Sequence, residues 1–110
     1  MDLNWAEDMN CAVTVCDKQG IVVYMNKKSR ETFNTNGRDM MGQCMIPCHN
    51  PQSQAKIAHM LATGESNSYT ILKNGQKKLI YQTPWRVNGE VMGLVELSMV
   101  IPEDMPHFIR

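Results

Sequence analysis

The sequence predicts an α+β fold: a five-stranded antiparallel sheet with short helices packed on one face. Three observations carry this. Two β-rich runs flank a tight turn near the start, amphipathic helical segments fill the middle, and three β-rich runs joined by Asn-Gly turns close the chain. Strands and helices do not alternate, which argues against a parallel doubly wound sheet. At 110 residues the chain has room for one modest core.

Residues 1–9 read as an N-terminal cap, with Trp5 and Met9 four apart and so on one face of a helix. Cys11-Ala12-Val13-Thr14-Val15-Cys16 and Ile21-Val22-Val23-Tyr24-Met25 flank Asp17-Lys18-Gln19-Gly20, a hairpin pattern. Asn26 stands where its side chain can cap a helix over 27–34, and Gly37 suits that helix's termination. A short helical turn is expected at Arg38–Met41. Asn50-Pro51 reads as a cap followed by proline in the first turn, and Ile57, Met60 and Leu61 give the helix over 51–62 its apolar face. Strands follow at Ser68–Leu72, Lys78–Val87 and Glu90–Val100, turned by Asn74-Gly75 and Asn88-Gly89. Pro84 within its strand signals a bulge or an edge. Pro102 and Pro106 leave 102–110 as a surface tail, so the domain proper spans 10–101.

In the last two strands both alternating residue sets are largely apolar: Leu79, Tyr81 and Trp85 against Ile80, Gln82 and Pro84, then Val91, Val95 and Leu97 against Met92, Leu94 and Val100. One set packs on the helices and the other needs cover of its own. The Trp5 segment and a second copy of the chain are the expected cover, which makes a homodimer the expected assembly.

Composition narrows the function. Eleven basic residues balance eleven acidic ones, so the basic excess of a general nucleic-acid grip is missing. The acidic start has no apolar run of signal-peptide type, and no stretch approaches the roughly 20 apolar residues of a membrane helix. A cytoplasmic location is expected, with Cys11, Cys16, Cys44 and Cys48 as thiols. No phosphate-binding glycine loop, metal carboxylate pair or nucleophile elbow is present, so no enzymatic activity is expected. Ten methionines read first as core filler and second as a plastic pocket.

Val13 to Asn26, Gly37-Arg38-Asp39-Met40-Met41-Gly42-Gln43, Asn74-Gly75 with the strand to Pro84, and Asn88-Gly89-Glu90-Val91-Met92-Gly93 together resemble the PAS (Per-Arnt-Sim) family over about residues 10–101. The resemblance implies a PAS fold and a sensory module that binds a small ligand between sheet and helices, an effector protein, or both. It implies that Ile80, Gln82, Val95 and Leu97 point inward, with Met60 as a further ligand contact, and that Tyr81, Trp85 and Glu96 lie on the outer face. There Trp5, Tyr81 and Trp85 would form the dimer or partner surface. The end departs from sensor-kinase relatives, which close with an Asp-Ile-Thr-like motif and a coiled-coil helix. Here Ser98-Met99-Val100-Ile101 runs into Pro102, so a free-standing domain is expected.

A rival function is a haem or metal redox sensor using Cys44, Cys48, His49 and His59. Covalent haem attachment normally has two residues between its cysteines, and here there are three. Zinc would need a fourth ligand from His59 or Cys16. PAS domains that bind haem b often place an axial histidine in the region of His59. Gly42-Gln43-Cys44-Met45 lacks the arginine and phenylalanine of the flavin-photosensor motif. The plainer reading makes Cys44 and Cys48 buried structural residues and His49-Asn50-Pro51 a helix entry, so no cofactor is required. A ligand-free interaction module is the third possibility.

Overall fold

The computed structural model of the chain describes residues 3–44 and 51–110. In order the elements are α1 (Asn4–Glu7), β1 (Ala12–Asp17), β2 (Val22–Met25), α2 (Lys27–Phe33), α3 (Pro51–Thr63), β3 (Asn67–Lys73), β4 (Gln76–Val87) and β5 (Glu90–Val100). The five strands form one antiparallel sheet in the order β2-β1-β5-β4-β3. The chain thus starts in the middle of its own sheet, and β5 slots in beside β1.

Each turn has its local cause. Asp17 Oδ1 accepts from the Gln19 and Ile21 N–H groups (2.9 and 3.0 Å) and closes the β1–β2 turn. Both later hairpins turn on Asn-Gly pairs with positive φ at each residue, 52° and 74° at Asn74-Gly75, 50° and 81° at Asn88-Gly89. Those values match the turn whose twist suits antiparallel strands. The expected helical turn at Arg38–Met41 is replaced by two hydrogen-bonded turns, Arg38 N–H to Thr35 O and Gln43 N–H to Met40 O. Asn34 Oδ1 accepts from the Met40 N–H and Asp39 Oδ1 from the Met41 N–H, side-chain bonds that compete with helix formation. Residues 42–44 then run along the free edge of β2, through Gly42 N–H to Val22 O, Val22 N–H to Gln43 O and an Ile21–Cys44 bridge. Asn50, the expected cap of α3, lies outside the described residues.

The sheet has two covered faces. On the inner face Ile57 and Met60 of α3 pack on Cys16 and Leu94 of β1 and β5. On the outer face Ala6 of α1 packs on Val13 and Val15, joined by Leu3, Tyr24, Trp85, Val95 and Leu97. α1 stops at Glu7, so the expected Trp5–Met9 helical face does not form. Ala6 is buried in its place while Trp5 stays 69% exposed.

Candidate functional site

Asn26 holds the two layers together. It is fully buried, and its amide uses every hydrogen-bonding position it has. Oδ1 accepts from the N–H groups of Val13 and Ser29, and Nδ2 donates to the carbonyls of Ala6 and Cys11, all at 2.9 Å. The N-cap read from the sequence is therefore also the anchor of α1. The cap is clamped a second time outside: the Arg30 guanidinium grips both Glu7 carboxylate oxygens (3.0 and 2.9 Å) and donates to Met25 O. That guanidinium holds the Glu7 carboxyl below its ordinary range.

The inner face carries a row of polar side chains. In register, Thr14 of β1 sits beside Glu96 of β5, Glu96 beside Gln82 of β4, and Gln82 beside Asn67 of β3. Gln82 is 4% exposed. Its Nε2 donates to Glu96 Oε2 (3.0 Å), and its Oε1 accepts from Asn67 Nδ2 (3.2 Å). Chemistry fixes this polarity. An ionised carboxylate can only accept, so the Gln82 amide must turn its NH2 toward Glu96 and its oxygen toward Asn67. Asn67 must then offer its own NH2. At the β1 end, the Thr14 and Ser29 hydroxyls share a hydrogen bond (2.6 Å), which ties α2 to the row.

Apolar side chains border the row on both sides: Cys16 and Leu94 one pair away in one direction, Ile80 in the other. Burial pushes the Cys16 thiol up, and nearby carboxylates add to it. Burial and the charge of Glu96 do the same to the Tyr69 phenol. Ser98, next but one to Glu96 on the same face, lines a cleft of about 390 Å³ between α2 and the ends of β4 and β5, along with Lys28, Glu31, Gln76 and Lys78.

Of the residues named from sequence, Ile80 and Gln82 lie on the inner face and are buried. Met60 is fully buried against Cys16 and Leu94. Val95 and Leu97 do not face inward. They belong to the outer cluster beneath α1, and Glu96, expected outside, faces inward. The cause is a bulge. Trp85 pairs with Gly93 but Arg86 pairs with Val91, which leaves Met92 as an extra residue. One residue of slip exchanges the two faces of β5. The irregularity expected at Pro84 falls one position later. Pro84 itself lies beyond the last β3–β4 pair, Asn67–Gln82, where β4 has a single neighbour.

The outer-face aromatics separate in role. Trp85 is half-buried and its Nε1–H donates to Cys16 O (2.9 Å), crossing β5 at Gly93. A Cβ at Gly93 would overlap that carbonyl oxygen and approach the indole nitrogen to 2.6 Å. Tyr81 is 37% exposed. Of the cysteine and histidine candidates, Cys44 and His59 fall among the described residues. Cys44 is half-buried rather than buried, with its thiol 3.5 Å from Gln19 O. His59 is exposed and paired with Glu65 at 2.8 Å. Cys48 and His49 lie outside the described residues. Among the described residues, no three His, Cys, Asp or Glu side chains are grouped to hold a metal ion, and no helix is long and apolar enough to cross a membrane. Sequence reasoning missed Glu96 and Asn67 as partners of Gln82. Counting back from Asn74-Gly75 supplies Asn67, and the bulge, once known, supplies Glu96.

A model of the PAS fold matches residues 6–103. No curated protein matches the chain. Solved structures share the architecture. The PAS domain of the histidine kinase ThkA superimposes with a TM-score of 0.64 at 18% identity, over 83% of this chain and 99% of that one. A sensory box sensor histidine kinase from Vibrio cholerae gives 0.65 at 13% identity, over 89% and 87%. VqmA bound to DPO gives 0.69 at 15% identity, over 92% of this chain and 56% of VqmA, so this chain spans a little over half of that protein. At such identities the likeness speaks to fold.

Proposed function

The chain belongs to the PAS fold family, and we propose that it is a sensory domain, a binding module rather than an enzyme, which takes a small molecule on the inner face of its sheet. The observation that carries this is the Glu96–Gln82–Asn67 row. A polar line across three strands of a packed face offers directional hydrogen bonds inside apolar walls, the usual make-up of a small-molecule site. Support from structural likeness is of two kinds: several similar structures are of sensor histidine kinases, and VqmA is described with DPO bound.

A native mass spectrum and an absorption spectrum of freshly purified protein test the proposal. Retained non-covalent mass or a chromophore band is expected. Gln82→Leu should lower that occupancy by at least about tenfold, because it removes the donor to Glu96 and the acceptor from Asn67 together. Equal occupancy in Gln82→Leu would remove the row from the site.

Partner binding is favoured by a separate observation, the exposure of Trp5 and Tyr81 on the cap and the outer face. A homodimer through that surface agrees with VqmA, described as a dimer. Light scattering at high concentration should find two chains per particle. A monomer there would leave the face to a different partner.

A further inference from the structure

On the premise that the inner face binds a small molecule, we infer that its ligand presents paired N–H donors, as an amidine, a guanidine or an aminoheterocycle does, and that Glu96 selects for them. The forced polarity of the row supplies the reason. Asn67 donates to Gln82 and Gln82 donates to Glu96, so the direction of donation ends on the carboxylate. Glu96 Oε2 receives that one bond, and Oε1 receives none among the described residues. At the other end Asn67 Oδ1 receives no hydrogen bond among the described residues. The Asn67 end therefore keeps an amide oxygen and a second N–H, while the Glu96 end keeps acceptors alone and carries the formal charge.

Among the described residues no cation is paired with that charge. The ion pairs among the described residues are Lys18–Glu90, Arg30–Glu7 and His59–Glu65, and none includes Glu96. Its neighbours in register are Thr14, whose hydroxyl is engaged with Ser29, and Gln82. Lys78, on the same face of β4, pairs with Val100, four positions along β5 from Glu96. A half-buried carboxylate with one neutral hydrogen bond has acceptor capacity that a ligand donor can use. An anionic ligand would meet the opposite: a negative charge with no cation paired to it among the described residues. Planar molecules with two parallel N–H groups fit a carboxylate edge best, since both bonds form without distortion.

Benzamidine, benzamide and benzoate are a matched triple of nearly equal shape that differ in charge and donor count. Each is titrated into the intact protein and followed by amide resonances of Thr14, Gln82 and Glu96. Benzamidine should bind at least about tenfold tighter than benzamide, and benzoate should leave those resonances in place. Glu96→Gln, which keeps the shape, should erase the advantage of benzamidine while leaving benzamide within about threefold. If benzamide or benzoate binds as well as benzamidine, or Glu96→Gln leaves the preference intact, the ligand class is wrong although the inner face remains a site. If none of the three moves those resonances, the inner face is not a site for molecules of this size, and the premise fails with the inference. The comparison of the three probes on unaltered protein stands even if the variant does not fold.

Discussion

Asn26→Ala removes the residue on which both layers hang, and its cost follows from the bonds counted. Truncation leaves the Val13 and Ser29 N–H groups without their acceptor and the Cys11 carbonyl without its donor. The Ala6 carbonyl still accepts from the Met9 N–H at 3.2 Å. Each buried group left unpaired costs roughly 1–3 kcal/mol, and the Ser29 share is of the size of a lost N-cap, about 1 kcal/mol. A total loss of about 3–5 kcal/mol is expected, a large part of the ~5–15 kcal/mol that keeps a domain folded. Urea unfolding followed by Trp fluorescence reads it as a lower midpoint with an unchanged slope. A loss below about 1 kcal/mol would refute the anchoring role. Asn26→Asp supplies the control. Its carboxylate would retain the two acceptor bonds and turn its other oxygen on the Ala6 and Cys11 carbonyls, which favours the protonated acid. The folded pKa is then raised above the unfolded ~3.9. Stability contributed by such a group is present at low pH and lost as pH rises through the folded value. Asn26→Asp should therefore gain stability relative to Asn26→Ala on acidification.

Gly93→Ala places a methyl group against the Cys16 carbonyl and the Trp85 indole, and a loss of about 3 kcal/mol or more is expected by thermal or urea denaturation; wild-type stability would mean the strands part without cost. The Cys16 thiol, raised by burial, should be the slowest of Cys11, Cys16 and Cys44 to react with iodoacetamide at neutral pH, as peptide mapping would show. Labelling of Cys16 at the rate of Cys44 would contradict its packing. Glu7 has a folded pKa lowered by Arg30, so its contribution is complete above the ordinary 4.5 and disappears as pH falls through the depressed value. Glu7→Gln should flatten the acid side of the stability profile, and an unchanged slope would show that the ion pair does not hold the cap.

Much of the architecture is legible because single residues dictate it locally. Asp17, Asn26, Asn74-Gly75 and Asn88-Gly89 each act within a few positions of themselves, and each element they bound appears within two residues of its expected limits. The faces of β5 are legible only in part. Counting back from Asn88-Gly89 without interruption pairs Gln82 with Val95 and Ile80 with Leu97, which would put all four on one face, as the family resemblance implied. The extra residue Met92 moves the partners to Glu96 and Ser98. Alternation could not reveal this, since both residue sets of β5 are mostly apolar. The helical turn expected at Arg38–Met41 gave way to Asn34 and Asp39, whose side chains take the amides a helix would have used.

The geometry at Asn26 has a further consequence for amide hydrogen exchange. The Val13 and Ser29 amide protons, on β1 and α2, share a single acceptor atom. One rotation of that side chain exposes both and releases α1 in the same movement, since Nδ2 holds Ala6. The two amides should exchange with solvent at matched opening free energies although they are 16 residues apart in the chain. A disturbance of the Thr14–Ser29 hydroxyl pair on one face of the sheet is thereby one side chain away from the exchange behaviour of the segment covering the other.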